Sequence, residues 1–242
     1  MKHRLARLYL AASLAALSFP AIAGSAPRAV VELFTSQGCS SCPPADALLR
    51  ELAKDTSIIA VSLPVTYWDY LGWKDTLAEK AFSKRQRGYA ETRGDGQIYT
   101  PQVVVNGLRH AVGSDRRGIE AAIDEPSKAL KVPLNLKTTQ AGVTIELPGG
   151  MQGLVGVLWL MPITKSRSVA IGRGENTGRN ITYTNVVRSI VKVGEWSGEP
   201  MSIDVPHDVA TPPGTNGFVV LLQTMRDGRP DVILGAAKGG GL

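Results

Sequence analysis

The feature that most limits what this chain can fold into is Cys39-Ser40-Ser41-Cys42, which holds the only two cysteines in 242 residues. Before it, Ala29-Val30-Val31-Glu32-Leu33-Phe34 is a short apolar, β-branched run, bounded by Pro27 and by Thr35-Ser36-Gln37-Gly38. That is the pattern of a buried strand closing in a turn. After it come Pro43 and Pro44, which the first turn of a helix tolerates. Leu48, Leu49 and Leu52 then repeat at helical spacing. The spacing predicts strand, turn and helix, with Cys39 on the loop side and Cys42 about one turn further in.

A bridge between these two closes so small a loop that it constrains the unfolded chain very little. The spacing suits reversible chemistry better, because a dithiol already held together oxidises with little rearrangement. A metal site is the third reading. Tetrahedral zinc takes four ligands, and beyond the first 23 residues the chain adds only His110 and His207, without ligand-spaced neighbours. A helix start offers unpaired N–H groups and the positive end of its dipole, and both stabilise a thiolate. Cys39 is then the expected nucleophile and Cys42 the resolving thiol. The competing use of the same thiolates is a soft-metal binding module, for instance a copper(I) chaperone with the β-rich second half as its docking part.

The rest of the first half alternates in type. Residues 57–63 read as a second buried strand, 74–90 as a helix, 102–105 as a strand running into a turn at Asn106-Gly107, and 115–124 as a last helix before Pro126. Such alternation implies crossovers and a largely parallel start to the sheet. Two stretches, Phe34-Thr35-Ser36-Gln37-Gly38-Cys39-Ser40-Ser41-Cys42-Pro43-Pro44-Ala45-Asp46 and Tyr99-Thr100-Pro101-Gln102-Val103-Val104-Val105-Asn106-Gly107, resemble the thioredoxin and glutaredoxin superfamily. The resemblance implies a cis-proline at Pro101 that faces the dithiol, with Thr100 and Pro101 positioning substrate. More narrowly, Tyr67-Trp68-Asp69-Tyr70-Leu71-Gly72-Trp73-Lys74-Asp75 with Arg85-Gln86-Arg87-Gly88-Tyr89 is similar to the secreted bacterial family called domain of unknown function 1223. That likeness lends a thioredoxin-like domain but no substrate. Ser40-Ser41 matches neither the Gly-Pro of thioredoxins nor the Pro-His of exported oxidants, so no direction of exchange is assigned.

The aromatic segment has two readings. If the first two strands are parallel, the loops after them share an edge, and Trp68, Asp69 and Trp73 form a docking lip for a partner protein. Otherwise the aromatics pack the core, and Asp69 or Asp75 caps the following helix.

From residue 128 the texture changes to alternating runs: 129–136, 143–147, 153–163, 180–193, and a hairpin of 217–224 with 231–236 through Arg226-Asp227-Gly228-Arg229. The expected architecture is therefore an α/β thioredoxin-like domain over residues 27–126 followed by an all-β sandwich-like domain over 128–242 without a helix. The Gly-rich loop over 172–180 lacks the ending of a phosphate loop. It is either a flexible hairpin connection or a contact surface toward the dithiol half, with Arg173, Arg179 and Arg188 available to pair with acids. No Ser/His/Asp or paired-carboxylate arrangement is legible, and no cofactor is implied.

Residues 1–23 carry Lys2, Arg4 and Arg7, an apolar run over 8–17 and an Ala21-Ile22-Ala23 end. That is the pattern of a cleaved secretory signal peptide. The apolar run is too short to span a bilayer. Of 27 Lys+Arg against 21 Asp+Glu, three cations lie in that segment. The remainder has 24 against 21, a net +3, which gives no electrostatic footprint for nucleic acid. The expectation is a periplasmic or secreted protein without a membrane span after cleavage, acting on protein thiols or disulfides.

Overall fold

The computed structural model describes residues 26–126 and 129–242. The signal segment at 1–23 lies outside these residues. The chain runs β1 (Ala29–Thr35), α1 (Pro43–Leu52), β2 (Ile58–Pro64), a 3₁₀ turn (Asp69–Leu71), α2 (Lys80–Arg93), β3 (Gln102–Val105), β4 (Arg109–Val112) and α3 (Arg116–Asp124). It continues as β5 (Asn135–Thr138), β6 (Gly142–Leu147), β7 (Gly156–Ala170), β8 (Asn180–Val187), β9 (Val191–Trp196), β10 (Met201–Pro206), α4 (His207–Ala210), β11 (Gly217–Arg226) and β12 (Arg229–Gly240). Among the described residues no helix is long and apolar enough to cross a membrane.

The result is a mixed α/β fold built on one nine-stranded sheet of order β12-β11-β7-β8-β2-β1-β3-β4, with β9 also paired to β7. Along β1 the side chains alternate faces, as a strand buried on both sides requires. Val31 and Leu33 pack with Leu48, Leu49 and Leu52 of α1 and Ile119 and Ile123 of α3. Val30 and Phe34 pack with Phe82 and Tyr89 of α2 and with Val219, Leu221 and Ile233 from β11 and β12. Helix α2 lies close enough to the β11–β12 hairpin that a Cβ on Gly88 would sit 2.6 Å from Pro230 Cδ. The hairpin turns at Asp227 and Gly228, both at positive φ.

Four expectations are corrected. β2 is parallel to β1, but β3 is antiparallel to it. Asn106 and Gly107, at positive φ, turn β3 tightly into β4, an edge strand with a partly exposed pattern that its short Arg109-His110-Ala111-Val112 sequence does not advertise. The helix expected from residue 74 begins at Lys80, because the Asp75 carboxylate accepts from the backbone of Gln37 and Leu77 and holds that stretch as a loop. The second half does contain one helical turn, α4, directly after Pro206.

The fourth correction concerns the all-β half. Its strands do not stand apart as a sandwich: β7, β8, β11 and β12 extend the sheet begun by β1 and β2. Among the described residues only β10-β6-β5 form a separate sheet, and Val143, Ile145 and Leu147 of β6 cover Leu158, Leu160, Phe218, Val220 and Leu222. The other face of β7 and β11 is needed to cover α2, so an apolar pattern on both faces holds the halves together. The seam itself is narrow. β2 and β8 share the single pairing Ser62 with Val186, reinforced by Ser62 Oγ donating to Thr184 O and Asn185 Nδ2 donating to Ala60 O.

Candidate functional site

Cys39 and Cys42 are joined in a disulfide with Cα atoms 5.4 Å apart. Cys42 is the N-cap residue of α1, and its carbonyl accepts from the N–H groups of Ala45 and Asp46. The turn from β1 is closed by Cys39 N–H donating to Ser36 O and Gly38 N–H to Ser36 Oγ. The strand–turn–helix placement of the pair is thus as the spacing predicts.

Its surroundings differ from expectation in two ways. Helix starts normally present free N–H groups, but the first two helical residues here are Pro43 and Pro44, which have none. The next two amides are taken by Cys42 O, and Cys42 N–H donates to Cys39 O. A Cys39 thiolate would therefore rely on the helix dipole and on Ser41 Oγ, 3.4 Å from Cys39 Sγ. The second difference is access. Both cysteines are wholly buried, at 0% exposure.

Of the other expected residues, Trp68 and Trp73 are held against the turn before Cys39. Trp68 Nε1 donates to Thr100 Oγ1 at 2.7 Å, and a Cβ on Gly38 would meet Trp68 Cβ at 3.0 Å. The Thr100–Pro101 peptide is cis. Pro101 Cβ, Ala45 Cβ of α1 and Leu33 Cδ1 of β1 all converge on Gly113, each within 3 Å of where its Cβ would stand. Trp73 Nε1 donates to Gln37 Oε1 at 2.8 Å, two residues before Cys39. Asp69 does not reach the pair: it accepts from the Asp75 backbone, and neither acid caps α2, whose N-cap is Glu79. Trp68 and Trp73 are half-buried and packed on the core, as the packing reading has it, with their ring N–H groups bonded to Thr100 and Gln37.

Several further residues take part here without having been assigned a place beside the dithiol from sequence. Asp75 and Gln37 tie the aromatic loop to the turn before Cys39, with Gln37 N–H donating to Asp75 Oδ2 at 2.8 Å. Asp46, in the first turn of α1, is 2% exposed, and neither carboxyl oxygen has a hydrogen-bond partner among the described residues. Burial pushes its pKa up to about 8, and that of Asp75 up to about 6. Burial likewise raises the Tyr183 phenol, with Asp46 and Asp75 adding to the effect. Burial thus favours the protonated, uncharged form of Asp46. Finally, the loop at 172–180 is a contact surface. Asn176, wholly buried, donates from Nδ2 to Gln37 O at 3.0 Å and Cys39 O at 2.8 Å. Ser40 N–H donates to Glu175 Oε2 at 3.0 Å. The polar, Gly-rich composition marked this loop, but its target 137 residues away left no local signal. Arg173, Arg179 and Arg188 form no ion pair among the described residues. No cluster of three or more His, Cys, Asp or Glu that could hold a metal occurs among the described residues.

The family described as Protein of unknown function (DUF1223) matches this chain over residues 30–223. No curated protein matches it. Among solved structures, the chain is similar to the crystal structure of protein AGR_C_4864 from Agrobacterium tumefaciens. The two are 36% identical with a TM-score of 0.81, over 91% of this chain and 97% of that one. HBP35 of Porphyromonas gingivalis shares the fold at 12% identity and a TM-score of 0.57, over 89% of this chain and 75% of that one.

Proposed function

The chain belongs to the DUF1223 family, and from that premise we propose that it is an exported thiol–disulfide oxidoreductase with a thioredoxin-like arrangement around Cys39 and Cys42. The observation that carries this reading is the local one. A short-loop disulfide sits at the N-cap of α1, just after the end of β1, an interior strand of the sheet. Such a bridge adds little to fold stability, so its placement at a strand–helix junction is better explained by chemistry than by stapling.

In the exchange, a substrate thiolate attacks Cys39 Sγ. A new S–S bond forms, the Cys39–Cys42 bond breaks, and Cys42 leaves with the electron pair. A second substrate thiolate then attacks the substrate sulfur of the mixed disulfide and releases Cys39. Two electrons have passed from the substrate dithiol to the protein, and the reverse sequence reduces a substrate disulfide. The Cys42 thiolate takes up a proton on leaving. Asp46 is four residues on along the same helix face, and helical side chains lean toward the N-terminus. Its carboxyl is the acidic side chain nearest in sequence to Cys42.

The amino-terminal segment supports export, and the rim of half-buried Trp68 and Trp73 with the 79%-exposed Tyr70 supports recognition of a protein partner there. In a test with insulin as substrate, the reduced protein is expected to cleave the interchain disulfides. Cys39→Ser should abolish the activity, and Cys42→Ser should accumulate a covalent adduct at Cys39. A protein that is inert toward insulin but takes up one copper(I) per dithiol would favour the chaperone reading instead.

A further inference from the structure

The burial of both cysteines is at odds with a site meant to meet other molecules, and the Gly-rich loop is bonded to the backbone on either side of Cys39. Beyond Ser166 and Thr184, β7 and β8 continue as a two-stranded arm, fixed to α1 where Arg50 Nη2 donates to Thr182 O. At its tip Ile171 N–H donates to Arg179 O and Gly178 N–H to Ile171 O, so the loop is a folded unit. It is seated on Trp73. A Cβ at Gly172 would stand 3.1 Å from the indole ring, and one at Gly174 3.5 Å from Trp73 Cβ. From that seat Asn176 reaches the carbonyls of Gln37 and Cys39, while Glu175 accepts from Ser40 N–H. Ser40, by its hydroxyl and its backbone N–H, holds the Glu175 carboxyl below the usual range, so it is charged at neutral pH.

These three backbone groups belong to the turn that carries Cys39, and an incoming extended chain would pair with such groups through its own N–H and C=O. Side chains of the loop already occupy them. Asn176 has left water entirely to do so, and its Oδ1 has no partner among the described residues. An amide buried with one end unsatisfied is costly, which makes the closed contact one that a better-paired partner can displace.

We propose that Glu175 and Asn176 form a latch that closes the Gly-rich loop over the Cys39–Cys42 disulfide and so decides what reaches Cys39. The proposal rests on the reading of that disulfide as an exchange site. Small thiols enter only when the loop lifts, and a partner whose backbone replaces both latch residues enters directly.

The test uses the oxidised full chain, with dithiothreitol as the thiol and mass spectrometry of alkylated cysteines as readout. Dithiothreitol donates two electrons, leaving as its own cyclic disulfide. Asn176→Ala loses two hydrogen bonds, and its disulfide is expected to be reduced about 10-fold faster. Deuterium uptake in the loop at 172–180 should rise with it. In the unaltered chain, urea below the unfolding transition should leave the reduction rate nearly unchanged, as local opening requires. Equal rates for Asn176→Ala and the unaltered chain would overturn the latch. So would a rate that climbs with urea in step with global unfolding, a measurement that stands even if the variant fails to fold. Because the readout is access and not turnover, a chain inactive on insulin yet latched would reject the proposed function alone.

Discussion

Asp46→Asn is expected to stabilise the oxidised protein at pH 8 by on the order of 5 kcal/mol and to leave it nearly unchanged near pH 4. In the unfolded chain this carboxyl titrates near 3.8, whereas in the folded one burial holds the proton to about 8. Between those values the native state carries one more proton than the unfolded state. Stability therefore falls as pH rises from about 4 to about 8, and is level above. Asparagine matches the protonated acid in shape and does not titrate. The comparison is a urea or thermal midpoint measured at intervals from pH 4 to 8.5, with a sloping native series and a flatter variant. Parallel slopes would mean that the Asp46 carboxyl reaches water. If Asp46 also holds the proton for Cys42, the same substitution should shift the pH profile of disulfide exchange, which a purely structural role would not do.

Arg85→Met should cost about 3–5 kcal/mol, because it leaves a carboxylate buried without its counter-ion. Glu32 points from the middle of β1 onto α2 at 0% exposure. It accepts from Arg85 Nε at 2.6 Å, from Arg85 Nη2 at 3.2 Å and from the Tyr89 hydroxyl at 2.5 Å. Gln223 of β11 donates to the same Tyr89 oxygen at 2.8 Å. The network therefore joins β1, α2 and the far half of the sheet. Adding Glu32→Gln to Arg85→Met should recover part of the loss by neutralising the stranded charge, as denaturant midpoints of the single and double variants would show. A single variant as stable as the native protein would mean that water reaches Glu32.

What the sequence discloses follows the range of the interactions. β1, α1 and β2 were legible because Pro27, the Thr35-to-Gly38 turn, Pro43 and Pro64 punctuate short apolar runs, and α3 begins one residue after the Asp115 cap. The turn at Asp227-Gly228 was legible for the same reason. The single sheet was not, since an apolar run such as 156–163 reads alike whether it is covered by another sheet or by a helix, and β7 is covered by both. At the site, Cys39, Cys42, Thr100, Pro101 and Trp68 could be named from three local stretches. The missing amide donors were in plain view, because two prolines at a helix start take away the groups that would face a thiolate. Asn176 and Glu175 were not, since nothing within a few residues of them reports a partner near residue 39.

The most direct test equilibrates the full chain in glutathione buffers of graded potential and counts alkylatable cysteines. An exchange site predicts a single two-electron transition between roughly −270 and −120 mV, the range of dithiols that work in exchange. A disulfide that stays closed below roughly −300 mV, as structural bridges do, would contradict the account.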